Sequence, residues 1–345
     1  ARAARCASDG SSSGTDEAWS GTADPARSPP TAAAVAAEGA CSAGFGGARV
    51  QFVQIGLGTN TTFVQNLAGP WRDWTRTIDW LLEATSERRA RRVRGVGVEP
   101  VGHLCRLHRS LAGALPRVEI VEAAIGDEDA EGAEVNVLDG EGVRHLAKAM
   151  QPGQRAQFER DLVFLRNMST VGCTHPELAM HCEWVEQKFD VKLPFTVQRS
   201  DVWSYGRLVR TLNFAGCEVL MIDAEGCDTR ILASVVEHCQ AHPGEWPQLI
   251  QFETMGHCDK VGGGDTEWNT IKTLEEAGYT LIGHSGRDSH LAWGEALRRE
   301  PRLSAWAGRW KCSRCGGRWQ FPYVATLRGV ACGECSHVRR LRHRR

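Results

Sequence analysis

The sequence predicts an α/β fold built on a doubly wound, mostly parallel sheet. Two observations carry this. Short apolar runs rich in β-branched residues recur, as at Val50–Ile55, Arg94–Glu99 and Val118–Ile125, and each stops at glycine, proline or aspartate. The stretches between them are long enough for helices, and strand, helix, strand at this spacing marks parallel crossover units.

The elements follow in order. Residues 1–46 are rich in Ala, Ser, Gly and Pro, lack apolar periodicity and are expected to be disordered. The α/β domain is expected over 47–298. After the strand Val50–Ile55, helices are expected at Thr61–Leu67 and Ile78–Glu83, the second running into a basic cluster at Arg88, Arg89, Arg91, Arg92 and Arg94. The strand Arg94–Glu99 leads to a helix over His103–Ala112, and Val118–Ile125 is the third strand. Residues 128–198 read as an enlarged insertion on the substrate side. It holds a strand at Val135–Leu138, a largely helical Arg144–Arg166 broken near Pro152, a loop at Asn167–Pro176 and a helix at Glu177–Phe189. Then come a helix at Val202–Asn213, a strand at Val219–Ile222, a helix at Thr229–Cys239, a strand at Leu249–Phe252 and a helix at Thr266–Ala277. Tyr279–Gly283 and His290–Trp293 are expected to close the sheet as a β-hairpin.

Composition narrows the function. The 345 residues are 42% hydrophobic and 24% charged, enough for a sizeable core. A net charge of −1 gives no global field to gather nucleic acid or anionic membrane. No apolar run spans a bilayer, and the first residues carry no secretory signal. Nine of the thirteen cysteines are scattered irregularly, unlike a disulfide framework, which points to a reducing, cytoplasmic compartment.

Gly56-Leu57-Gly58-Thr59-Asn60 follows a strand and opens a helix, so the backbone there can pass close to a ligand. Glu99 ends the next strand, where a carboxylate can accept both hydroxyls of a ribose. A tight βα turn would explain the glycines alone, and a dinucleotide-dependent dehydrogenase would also use such a turn. Position 61 is Thr, however, so the full pyrophosphate-cradling pattern is incomplete and a nucleoside without pyrophosphate fits better.

These segments, with Ala123-Ala124-Ile125-Gly126-Asp127, resemble the core of class I methyltransferases, a Rossmann-like sheet. Val219-Leu220-Met221-Ile222-Asp223-Ala224-Glu225-Gly226 resembles the hallmark strand and turn of the FkbM-like family, with Met221 for its usual lysine and Ala224 for its usual valine. Leu249–Glu253 and Leu274–Tyr279 resemble the same family, so the likeness covers roughly residues 49–293. The resemblance implies S-adenosylmethionine as cofactor. It implies Gly56, Gly58 and Asn60 along its methionine part, Glu99 on the ribose, the turn from Ala124 to Asp127 beside the adenine, and Asp223 near the transferred methyl.

Methyl transfer to a hydroxyl needs a base for the departing proton. Asp223, Glu225 and Glu253 at strand tips are the candidate catalytic residues, with His175, His257 and His290 further out. Asp223 could instead cap the next helix, and Glu225 could be a surface acid. Paired acids could also hold a divalent metal, but the sequence offers no further oxygen ligands at telling spacing, so a metal-free site is expected. Cys173, His175, His181 and Cys182 do not match a zinc spacing.

Near the end, Cys312-x-x-Cys315 and Cys332-x-x-Cys335 are two knuckles that suit a tetrahedral structural Zn²⁺, with a short β-hairpin around Trp319, Phe321, Tyr323 and Val324. A zinc ribbon is expected over 306–338 and a basic tail over 339–345. The leading function is O-methylation of a small-molecule or glycan-type hydroxyl. One alternative is methylation of RNA or protein, with the ribbon and Arg-rich tail delivering the macromolecule. Another is a non-catalytic zinc-ribbon binding protein on a methyltransferase scaffold.

Overall fold

The structure is a computed structural model. It describes residues 45–58, 94–112, 117–162, 165, 170–171, 176–254, 256–262, 264, 266–284 and 288–299, and three short strands at 319–320, 330–332 and 338–339. Residues 1–44 of the expected disordered segment, the helices at Thr61–Leu67 and Ile78–Glu83, most of the first basic cluster and most of the tail lie outside the described residues. Phe45, within that segment, is instead ordered, its amide donating to the Leu212 carbonyl and its ring packing on Phe214.

The main sheet combines β1 (Ala48–Ile55), β2 (Gly95–Glu99), β3 (Val118–Glu122), β8 (Phe214–Ile222), β9 (Leu249–Glu253), β10 (Tyr279–His284) and β11 (Asp288–Trp293). Their order is β10-β11-β9-β8-β1-β2-β3. Every pairing from β9 to β3 is parallel, and β11 runs antiparallel to both neighbours. The chain therefore winds outward from β1 one way and from β8 the other, and ends in the expected hairpin. This is an α/β fold with a mostly parallel, Rossmann-like central sheet.

Helices α5 (Tyr205–Leu212), α6 (Asp228–Ala241) and α8 (Thr266–Ala277) bring Leu208, Leu212, Ile231, Val235 and Leu274 against Val53, Ile55, Leu220, Ile222, Ile250 and Phe252. Strand residues alternate between faces, so Gln54, Met221 and Gln251 turn the other way. These three and His290 of β11 form one row across the sheet, since Gln54 pairs with Met221, Met221 with Gln251 and Gln251 with His290. All four are buried.

Two sequence expectations are corrected. Val118–Ile125 is not one strand. It breaks at the buried Ala123, and β4 (Ala124–Gly126) leaves for a second sheet, pairing with β7 (Phe195–Ser204). Residues 202–204 are not helical either. They complete β7, and α5 begins only after Ser204, whose side chain caps the Arg207 amide. The second sheet has the order β4-β7-β5-β6, with β5 at Ala130–Leu138 and β6 at Thr170–Val171. Its strands β5 and β6 and the start of β7 fall within residues 128–198, which carry their own core of Leu138, Val143, Phe158, Leu178, Val185 and Phe189. The insertion's helices are α2 (Gly140–Ala149), α3 (Pro152–Asp161) and α4 (Pro176–Phe189), with Pro152 at the start of α3 where its missing N–H costs nothing. Helix α1 (Gly102–Ala112), the short α7 (His257–Gly262) and α9 (Gly294–Arg299) are the other α-helices among the described residues. Among the described residues no helix is long and apolar enough to cross a membrane. Near the C-terminal end β12 (Trp319–Gln320), β13 (Val330–Cys332) and β14 (Val338–Arg339) form a small antiparallel sheet.

The winding reverses between β1 and β8, where the strand tips meet tightly. The Asp223 amide donates to the Ile55 carbonyl at 3.0 Å, and Gly56 has φ of +82°. A Cβ at position 56 would sit 1.9 Å from the Asp223 carbonyl oxygen. Gly56→Ala should therefore part the tips and lower unfolding free energy by at least ~2 kcal/mol. Urea denaturation checks this, and a change within ~0.5 kcal/mol would contradict it.

Candidate functional site

In open α/β sheets, ligands bind beyond the carboxyl ends of the strands, where the winding reverses. Here that point carries Gly56-Leu57-Gly58 from β1, Glu99 from β2, Asp223 and Glu225 from β8, and Glu253 from β9. Of the expected cofactor residues, Asn60 lies outside the described residues.

Glu99 holds the glycine turn. Its Oε2 accepts the Leu57 amide at 3.1 Å and the Gly58 amide at 2.9 Å, and its Oε1 accepts the Val101 amide at 3.1 Å. It is 2% exposed. Burial raises its carboxyl above the usual range, and these three amides pull the other way. Oε1 keeps a lone pair for a further donor, such as a ribose hydroxyl. Sequence reasoning missed the clamp, and it also missed His108. From α1, the buried His108 sets Nε2 3.0 Å from the Gly58 carbonyl oxygen. Desolvation lowers its pKa, which favours the neutral ring donating from Nε2. Gly58 is thus fixed through both its N–H and its C=O.

The turn from Ala124 to Asp127 is bound into the fold. Ala124 pairs with Val202, and Asp127 accepts Arg230 of α6 at 2.6 and 3.2 Å. The Arg230 hydrogen bond lowers the Asp127 carboxyl's pKa.

The three catalytic candidates gather on the other side of the reversal. Glu225 takes a left-handed backbone (φ 49°) in the turn after β8. Its carboxyl is pushed up to about 8, first by burial and then by the charges of Asp223 and Glu253, against the pull of His257. The sequence placed His257 further out, yet α7 brings its Nδ1 to 2.8 Å from Glu253 Oε2 and 4.0 Å from Glu225 Oε2. The Glu253 hydrogen bond raises the His257 pKa despite burial. The ligand atoms of Glu225, Glu253 and His257 all lie within 4.8 Å of one another. The sequence named Glu225, Glu253 and His257 separately as candidate bases and did not join them, because α7, which starts at His257, is too short to leave a periodic pattern.

Two buried acids brace this group. Asp228 accepts the Ala224 and Glu253 amides at 3.2 Å each, so it ties the β8 turn to the end of β9. The N-cap of α6 is Cys227, with no side-chain cap hydrogen bond, so Asp223 does not take the capping role weighed for it. Glu267 of α8 accepts the Gly256 and Cys258 amides at 3.0 and 3.1 Å, and burial pushes its carboxyl to about 7. His290 lies buried in β11. His175 and Cys173 lie outside the described residues, and the His181 ring meets the Asp161 carbonyl at 3.1 Å. Of the zinc candidates, Cys312, Cys315 and Cys335 also lie outside them. Cys332 ends β13, opposite Trp319.

No protein-family model matches the chain, and no curated protein matches it in sequence. Among solved structures it is similar to Aeropyrum pernix fibrillarin in complex with natively bound S-adenosyl-L-methionine, at 10% identity and a TM-score of 0.31, over 71% of this chain and 67% of that one. It is also similar to the Methanococcus jannaschii fibrillarin pre-rRNA processing protein, at 6% identity and a TM-score of 0.29, over 72% and 68%. An O-methyltransferase from Bacillus cereus in complex with SAH gives 14% identity and a TM-score of 0.24, over 70% and 71%.

The raised carboxyls predict a pH trend in stability. Between the unfolded carboxylate range near 4.5 and the folded value of about 8, Glu225 keeps a proton in the fold that the unfolded chain has lost. Its contribution is full below that range and is lost as pH rises through about 8. Glu267 acts in the same direction up to about 7. Unfolding free energy in buffer free of added divalent cations should fall from pH 5 to 9, and Glu225→Gln should flatten the slope. A parent stability that rises over this window would contradict the assignment.

Proposed function

We propose that the chain is an S-adenosylmethionine-dependent methyltransferase of the FkbM-like kind that methylates a hydroxyl of a small molecule or glycan. The observation that carries this reading is the opposition, across one reversal point, of a clamped glycine turn and a group of acids. Glu99 and the Gly56–Gly58 turn suit the nucleoside in chemistry and in place. When bound, S-adenosylmethionine supplies a methyl group on an electrophilic sulfonium.

The rest falls to side chains of this protein. Glu99 takes a ribose hydroxyl on Oε1 while Oε2 keeps the turn closed. Asp223, at the tip of β8, faces the methionine end. Glu225 is the base we assign for the acceptor's hydroxyl proton, and Glu253, tied to His257, holds the acceptor beside it. Burial around the strand tips keeps these charges out of bulk water, where they would act more weakly.

The four C-terminal cysteines complete the proposal as a structural zinc site. Their donor set is four thiolates in two knuckles, and the antiparallel β12 and β13 approach the second knuckle. Co²⁺ substituted for zinc should give the strong thiolate absorption of a four-cysteine site, and Cys312→Ser with Cys315→Ser should abolish it. The same spectrum in parent and variant would rule the assignment out.

Calorimetric titration with S-adenosylmethionine tests the main reading. The parent should bind one equivalent, Glu99→Gln should weaken binding about tenfold or ~1.4 kcal/mol, and Asp223→Ala should also weaken it. Absence of binding to a folded, zinc-loaded parent would overturn the methyltransferase reading.

A further inference from the structure

We infer that Glu225, Glu253 and His257 form a binding site for one divalent cation of the Mg²⁺ or Mn²⁺ class. The three side chains come from separate places: the turn after β8, the end of β9 and the start of α7. Their ligand atoms nonetheless converge within 4.8 Å. A cation with bonds of about 2.1 Å separates opposite ligands by at most about 4.2 Å. The spacings of 2.8 Å and 4.0 Å from His257 Nδ1 to the two carboxylates lie within that limit, and the whole group, within 4.8 Å, closes on one cation with a shift of at most about 0.6 Å.

The donor set selects the metal. Two carboxylates with one imidazole suit a hard or borderline cation, whereas the four C-terminal thiolates suit zinc. Charge favours occupancy too, because the tips of β8 and β9 bring the carboxyl groups of Asp223, Glu225 and Glu253 to adjoining positions, a surplus that a cation offsets.

A separate observation points to an unmet polar group on this face of the sheet. Gln251 lies two residues before Glu253 on β9, and hence on the same face of the sheet. It is 2% exposed, and its Oε1 accepts no hydrogen bond. A buried amide oxygen without a donor is what a cation's bound water would satisfy.

The site is also braced before any cation arrives. Asp228 pins the amides of Ala224 and Glu253, and Glu267 pins those of Gly256 and Cys258, on either side of His257. Second-layer hydrogen bonds of this kind hold ligating groups in place. Cation binding displaces the proton between His257 Nδ1 and Glu253 Oε2, which passes to ring Nε2 or to water. With the cation bound, Glu225 is a ligand in place of the base, and an acceptor hydroxyl on the cation loses its proton to water; this use rests on the methyl-transfer reading, but the binding does not.

The test is an electron paramagnetic resonance titration of the full, zinc-loaded chain with Mn²⁺, without S-adenosylmethionine. One Mn²⁺ per chain should bind, and added Mg²⁺ should displace it. Glu225→Gln and Glu253→Gln should each weaken binding at least tenfold, while Glu122→Gln, an exposed acid at the tip of β3, should leave it unchanged. His257→Ala serves in the same way if either glutamine variant fails to fold. Absence of stoichiometric Mn²⁺, or equal affinity in parent and variants, would overturn the site. A chain that binds Mn²⁺ but not S-adenosylmethionine would keep the cation site and refute the methyl-transfer reading, and the reverse result would do the opposite.

Discussion

The tips of β1 and β8 approach so closely that position 56 admits no side chain. Most of the site depends on this constraint. It sets the glycine turn beside the Asp223 backbone, and Glu99 and His108 then fix that turn from β2 and α1. The glycine usually read as making room for a ligand is here required by the protein's own backbone. Ligand binding and strand packing therefore place the same demand on residue 56.

On the other side of the reversal the fold gathers negative charge. Asp223, Glu225 and Glu253 crowd together with one imidazole, and burial raises Glu225 into the neutral pH range. Such crowding is costly unless protons, hydrogen bonds or a cation offset it. The hydrogen bond from His257 to Glu253 offsets part, and the Asp228 and Glu267 braces keep the group from spreading apart. A site that stores like charges in this way is suited to moving a proton or holding a cation.

The main sheet was legible because its strands are buried on both faces and read as continuous apolar runs, as at Val219–Ile222 and Leu249–Phe252. The acids at those strand tips could be named for the same reason, since a polar residue directly after such a run stands out. The second sheet was not legible. In β7 Phe195 and Val197 are exposed while Arg199 and Asp201 share the strand, so no clean alternation marks it. Its pairing with β4 and β5 is set by distant residues. The break after Glu122 was hidden because Ala123 is buried and no turn residue marks it. His257 joined the site only through the turn that follows β9, and Glu99 was recognised as an acceptor but not as the clamp it also is.

Amide hydrogen exchange with and without S-adenosylmethionine tests the central claim most directly, because it reads the backbone that Glu99 holds. The account predicts that saturating cofactor slows exchange at residues 56–58, 99–101 and 223–226, with little change in the insertion's core around Phe158 and Val185. Unchanged exchange at those strand tips, or protection confined to another part of the chain, would contradict it.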